Sequence, residues 1–213
     1  MIERIRTKSK NKVGKFYDRI YEKGGYISGS NFNRRALKIL GLKKENARLL
    51  DVGCGQGTLL AAAEKYVETY GVDISKEAIK KAEKISGKSK FRVAEAEKIP
   101  FPSGYFDYIT CMGSLEHFVD INKALKEMRR VAKKGAKILI HVPNSRYLVH
   151  KILGINTQGQ INERLATEEE WRSIIGKYFV IEKAHKYNTR FFLEWIPKRY
   201  CCHFTFLCRK NHE

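Results

Sequence analysis

The sequence predicts an α/β fold, a mostly parallel sheet with helices on both faces. Three observations carry this. Strand-like and helix-like segments alternate along most of the chain, which is the pattern of strands joined by helical crossovers. The apolar run Leu49-Leu50-Asp51-Val52 breaks into Gly53-Cys54-Gly55-Gln56-Gly57, as a buried parallel strand does when its end must approach a ligand. At 213 residues, 43% hydrophobic and with only four prolines, the chain suits one globular domain with a real core.

The elements follow in order. Residues 1–45 precede the first strand and predict one or two helices, with Phe16, Tyr17, Ile20 and Tyr21 on an apolar face. Strands are expected near 47–53, 69–74, 90–95, 105–112 and 136–142, and helices near 57–67, 76–86 and 120–133. Ser75 is placed as an N-cap before Lys76-Glu77-Ala78. The 120–133 helix carries Ile121, Ala124, Leu125, Met128 and Val131 on one face, and Gly135 stands where its C-terminal stop belongs. Thr167 with Glu170 three residues on forms a capping box for a helix near 167–177. Strands near 179–187 and 201–208 end the chain, with 188–200 able to form an antiparallel return between them.

Charge is unevenly spread. The formal net charge is +19. Residues 1–48 hold 14 lysines and arginines against four acids, residues 49–182 hold 21 against 17, and residues 183–213 hold seven against two. Basic ends on a nearly balanced centre are compatible with a nucleic acid or an anionic membrane surface. A lysine-rich solvated surface explains them equally. No apolar run is long enough to cross a bilayer, and the basic N-terminus has no signal-peptide core. The five cysteines show no zinc spacing and no C-x-x-C pair, so reduced thiols and a cytoplasmic location are expected, without a metal.

The glycine turn carries the chemistry. A dinucleotide-binding turn reads G-x-G-x-x-G, whereas this one reads G-x-G-x-G after an acid. A carboxylate at Asp51 would repel a pyrophosphate but suits a ligand bearing a cationic amine.

Residues 49–60 resemble motif I of the class I S-adenosylmethionine-dependent methyltransferases. Segments that match the same family follow in order: Tyr70-Gly71-Val72-Asp73-Ile74-Ser75, Ala94-Glu95-Ala96-Glu97-Lys98-Ile99-Pro100-Phe101, Phe106-Asp107-Tyr108-Ile109, Leu115-Glu116-His117-Phe118 and Lys137-Ile138-Leu139-Ile140-His141-Val142-Pro143-Asn144. Together they are most similar to the type 11 branch, with good agreement over about 47–145. The resemblance implies a Rossmann-like seven-stranded sheet, mostly parallel with an antiparallel edge strand. It also implies one methyltransferase domain over 1–213: a helical lid at 1–45, a cofactor-binding core at 46–143, an acceptor-side insertion and helix at 144–178, and C-terminal strands at 179–213.

By that resemblance S-adenosylmethionine would be held by Asp51, Gly53, Cys54, Gly55 and Gly57 in the turn. Asp73, 22 residues after Asp51, would accept the ribose hydroxyls. Glu95, where the family more often has aspartate, would accept the adenine amino group, and the Ala96 amide would donate to the ring. Ile74 and Ile99 could wall the adenine or belong to the core. Met112, Gly113 and Ser114 would run beside the methionine part. Glu116 and His117 come next, with His117 the candidate general base, and Tyr17 and Tyr21 could close over the sulfonium. His141 reads as a core histidine, and Asn144 as a residue that could touch the acceptor. The expected activity is methyl transfer by in-line displacement to a small-molecule acceptor at oxygen, carbon or nitrogen. The chain lacks the Asn-Pro-Pro-aromatic loop of exocyclic base-amine methylation. An RNA methyltransferase using the basic flanks, and a non-catalytic S-adenosylmethionine-binding protein, are the alternatives.

Overall fold

The computed structural model describes residues 1–26, 29–42, 46–147, 160–187 and 201–210. Its elements are β1 (Ile2–Ile5), α1 (Lys10–Glu22), α2 (Ser30–Leu40), β2 (Arg48–Val52), α3 (Thr58–Ala63), β3 (Glu68–Asp73), α4 (Lys76–Ile85), β4 (Lys90–Val93), β5 (Phe106–Met112), α5 (Ile121–Val131), β6 (Ala132–Pro143), β7 (Asn162–Leu165), α6 (Glu168–Ile175), β8 (Val180–Tyr187) and β9 (His203–Arg209).

Seven strands form one sheet in the order β4-β3-β2-β5-β6-β9-β8. The first five are parallel, and β9 pairs antiparallel with both β6 and β8. The reversed strand thus lies one place in from the edge, and β8 at the edge runs in the direction of the parallel strands. The expected return at 188–200 lies outside the described residues. Chain order runs outward from β2 through β3 to β4, then restarts on the other side with β5 and β6, so the switch point lies between β2 and β5.

Alternation along the central strands fills both faces. Leu50, Ile109, Ile138 and Ile140 pack with α5 and with Trp171 and Ile175 of α6. Leu49, Tyr108 and Leu139 point the other way, against Ala36, Leu37 and Leu40 of α2 and Leu59, Leu60 and Ala63 of α3. A strand covered on both faces needs apolar residues on both, which is why Leu49, Leu50 and Val52 flank the single acid Asp51.

Helix termini follow local chemistry. Ser75 Oγ accepts the Ala78 amide at 3.1 Å, and Thr167 and Glu170 form the reciprocal capping box. Gly135 does not stop α5. The helix ends at Val131, β6 starts at Ala132, and Gly135 (φ 71°) sits where the β5–β6 pairing slips between Phe106 and Tyr108. The helix expected at 57–67 ends at Ala63.

One feature was absent from the expectations. β1 pairs antiparallel with β7, placing Glu3 opposite Arg164 and Arg4 opposite Glu163. The charges of these two four-residue strands are complementary, which favours the register. Asn162, fully buried, fastens the strap: its Oδ1 accepts the Arg6 and Thr7 amides at 3.1 and 3.2 Å, and its Nδ2 donates to the Thr7 carbonyl at 2.9 Å.

Candidate functional site

A cavity of about 440 Å³ opens beyond the carboxyl ends of β2, β3 and β5, at the switch point, with α1 and the start of α2 over it. The turn after β2 forms its floor. The Gly53 and Cys54 amides both donate to the Val72 carbonyl, at 2.8 and 3.0 Å, folding the turn back onto β3. Gly53 and Gly55 have φ of 72° and 52°, a region that costs other residues about 1–2 kcal/mol. Space demands glycine as well: a Cβ would lie 2.6 Å from the Ser114 side chain at Gly53 and 2.6 Å from the Tyr21 hydroxyl at Gly55.

Asp73 is set by this turn. Its Oδ2 accepts the Gly55 amide and its Oδ1 the Ser75 amide, both at 2.9 Å. Each oxygen retains a lone pair, and the carboxyl lines the cavity. Burial pushes its pKa up, and the Ser75 and Gly55 amides pull it back. Asp51, one strand over, accepts the Thr110 hydroxyl at 2.7 Å. Burial raises this carboxyl to about 7; the Thr110 hydrogen bond opposes the rise and the Asp73 charge adds to it. Two strand-end carboxyls thus face one cavity, one suited to a pair of hydroxyl donors and the other to a cation.

The remaining predicted residues divide. Cys54, Ile74, Ala96, Met112 and Gly113 line the cavity, and burial lifts the Cys54 thiol well above its usual range. Gly57, Ile99 and Glu95 do not line it. A Cβ on Gly57 would lie 3.0 Å from Ala82 and Phe91, so this glycine serves contact between the turn, α4 and β4. Ile99 is 2% exposed within the core. Glu95 turns outward to an ion pair with Lys10 of α1, leaving the backbone beside Ala94 and Ala96 to face the cavity. Asn144 is a structural turn residue: it donates to the Cys201 carbonyl at 2.8 Å and accepts the Arg146 amide at 2.9 Å. His141 is buried, hydrogen-bonded to Thr205 Oγ1 at 2.8 Å and stacked on His203. Burial holds its pKa well below the ordinary value, with the His203 and Arg35 charges adding to the fall.

The far wall is built by the 3-10 turn Leu115–His117. His117 Nδ1 lies 2.7 Å from the Asn162 carbonyl oxygen. A carbonyl only accepts, so Nδ1 carries the proton and Nε2 keeps its lone pair in the neutral ring. That Nε2 is 3.8 Å from Glu116 Oε1. The β7 strap therefore sets the tautomer of the candidate base, a link that no local sequence signal announces.

Tyr17 and Tyr21 line the cavity from α1, as expected. Burial raises both phenols beyond their usual range, so they remain protonated donors. Tyr17 donates to Gln160 Oε1 at 3.1 Å, and Gln160 donates to the Tyr26 hydroxyl at 2.8 Å. Tyr26, Phe32, Asn33, Gln160 and His203 also reach the cavity and were not anticipated. Tyr26 follows the Gly24-Gly25 break after α1, so the helix periodicity could not have found it.

Known proteins share the sequence pattern and the fold. A family model described as a methyltransferase domain, type 11, matches residues 50–140. Ajmaline N-methyltransferase of Rauvolfia serpentina is 39% identical over 106 residues, covering 46% of this chain and 36% of that protein. Ubiquinone/menaquinone biosynthesis C-methyltransferase of Rickettsia bellii is 36% identical over 107 residues, covering 44% and 43%. The chain thus spans about two fifths of the length of these curated relatives. The crystal structure of PH0226 protein from Pyrococcus horikoshii superposes with a TM-score of 0.71 at 22% identity, over 92% of this chain and 99% of that one, and shares the fold.

Proposed function

We propose that this chain, whose residues 50–140 match the methyltransferase-domain family model, is a class I S-adenosylmethionine-dependent methyltransferase of type 11 character, and that it transfers a methyl group from S-adenosylmethionine to a small-molecule acceptor. The observation that carries the reading is the pair of strand-end carboxyls, Asp51 and Asp73, facing one cavity across a turn that only glycine fits.

The residues present suit this ligand. Asp73 keeps one free lone pair on each oxygen and would accept the two ribose hydroxyls. Asp51, raised toward neutrality by burial and with no cation beside it among the described residues, gains by facing the ligand's ammonium. Ala96 and Ile74 would flank the adenine, and Met112 and Gly113 the amino-acid tail. When bound, S-adenosylmethionine supplies a methyl carbon made electrophilic by a positively charged sulfur. The protein then aligns the acceptor atom about 3 Å from that carbon, excludes water and receives a proton. Tyr17 and Tyr21 cover the cavity from α1, and His117 Nε2 is the lone pair placed to take the proton. In this reading the described residues of 1–45 are the lid, and those of 144–178 frame the acceptor side.

The test is transfer of radiolabelled methyl from the donor into a small-metabolite extract, with total RNA as the parallel acceptor. Label in low-molecular-weight product supports the reading; label in RNA alone overturns it. The RNA alternative draws on a second groove of about 520 Å³ between α2 and α3, where Arg34, Lys38 and Lys65 stand beside the half-exposed Tyr66. Transfer to RNA through that groove would fall steeply with salt.

A further inference from the structure

We propose that the acceptor is an aliphatic amine on an apolar body, and that Glu116 is the anion that seats it; the inference rests on the methyltransferase reading above. The relatives do not decide this, since their names span nitrogen and carbon acceptors.

Glu116 lines the cavity yet is only 5% exposed. Its Oε2 is buried without a hydrogen-bond partner among the described residues. An unpartnered carboxyl oxygen removed from water is costly, and such groups persist where a ligand completes them. The charges that act on Glu116 are those of His117 and Glu163, not those of Asp51 or Asp73. It is therefore a third carboxyl, not in direct charge contact with the two assigned to the donor, and Tyr17 feels both Glu116 and Asp73. Gly113 is its neighbour on the cavity wall: a Cβ there would lie 3.9 Å from Glu116 Oε1, an ordinary contact. That glycine belongs to the loop assigned to the donor's amino-acid tail.

The cavity's other charges point the same way. Glu97 also lines it, and among the described residues no lysine or arginine does, although the chain carries a net charge of +19. An anionic acceptor would meet carboxyls here and no lysine or arginine to balance it. Tyr17, Phe118 and Val119 supply apolar surface around the seat, and a cation beside an aromatic face is favourable.

The step balances. The bound ammonium passes one proton to His117 Nε2. Its freed lone pair forms the N–C bond as the C–S bond breaks, and the C–S electron pair stays on sulfur as the neutral thioether. The methylated nitrogen leaves carrying the positive charge. Glu116 holds the ammonium before the proton moves and the charged product after.

The test uses three probes with one ring and one chain length: 2-phenylethylamine, 2-phenylethanol and phenylacetate. Their affinities are measured by calorimetry on the protein saturated with S-adenosylhomocysteine. The amine is expected to bind at least about tenfold tighter than either other probe, and Glu116→Gln to erase that preference. A thermal melt and S-adenosylhomocysteine binding establish that the variant is folded, and the wild-type ranking needs no variant. Phenylacetate or phenylethanol binding as well as the amine, no binding by any probe, or a preference that survives Glu116→Gln overturns the proposal. Failure of wild-type protein to bind S-adenosylhomocysteine would instead overturn the methyltransferase reading beneath it.

Discussion

Asp73→Asn separates the two tasks given to one carboxylate. In the folded protein its oxygens each accept a backbone amide, from Gly55 and Ser75. Asparagine offers one oxygen and one NH2 group, so one of those amides faces another donor. Leaving a buried donor unpaired costs about 1–3 kcal/mol. For a chain of this length each kcal/mol lowers Tm by about 2–4 °C, so a loss near the middle of that range is a fall of about 4–8 °C. Binding loses more specifically. A hydrogen bond to a charged acceptor contributes about 1.5–3 kcal/mol. Losing one and neutralising the other should raise the Kd for S-adenosylhomocysteine between about tenfold and a hundredfold. Calorimetric titration measures it, with the 2′-deoxy analogue as a second ligand. Wild-type protein should bind that analogue more weakly than the parent, and the variant should discriminate little between them. An Asp73→Asn protein that binds S-adenosylhomocysteine within about threefold of wild type, or that still penalises the deoxy analogue fully, would refute the ribose assignment.

Three further outcomes are expected. Burial raises Asp51 from 3.8 to about 7, so the folded unliganded protein holds a proton that the unfolded chain releases. The stability this gives is complete below about pH 4 and disappears as pH rises toward 7. Asp51→Asn should flatten that slope in denaturation midpoints taken across the window, and wild-type protein at pH 6 should release protons on binding S-adenosylhomocysteine, seen by calorimetry in buffers of different ionisation enthalpy. Gly57→Ala places a Cβ 3.0 Å from Ala82 and Phe91 at a φ of 73°; it should cost about 2–4 kcal/mol in a thermal melt while changing S-adenosylhomocysteine affinity less than about twofold, since Gly57 does not line the cavity. Asn162→Ala removes three hydrogen bonds to the β1 strap; a loss of about 2–4 kcal/mol and faster hydrogen exchange at the Arg6 and Thr7 amides should follow.

The sheet was legible because its signals are local. Leu49, Leu50 and Val52 must be apolar to lie between two helical layers, and the turn must be glycine where a Cβ would strike Ser114 or Tyr21. Ser75 and Thr167 act on amides within three residues, so their caps could be read directly. Pairing of β1 with β7 could not: four residues at each end of a separation of about 160 carry no periodicity of their own. The position of β9 inside the edge was likewise a choice between neighbours that pattern alone leaves open. At the site, position was read better than direction. Glu95 stands at the expected strand end, but Lys10, 85 residues earlier, draws its side chain away from the cavity. Gly57 belongs to the motif but answers to Phe91 and Ala82. Glu116 was visible beside His117, while its lack of a partner became apparent only once the cavity was closed around it.

The most direct test of the account is a crystal structure of the protein with S-adenosylhomocysteine. The ligand should occupy the cavity beyond β2, β3 and β5, with its ribose on Asp73, its ammonium beside Asp51 at the glycine turn, its adenine at Ala96 and its sulfur open toward Glu116 and His117. A ligand seated elsewhere, or one reversed so that the adenine lies against Glu116, would contradict both the cofactor assignment and the acceptor seat built on it.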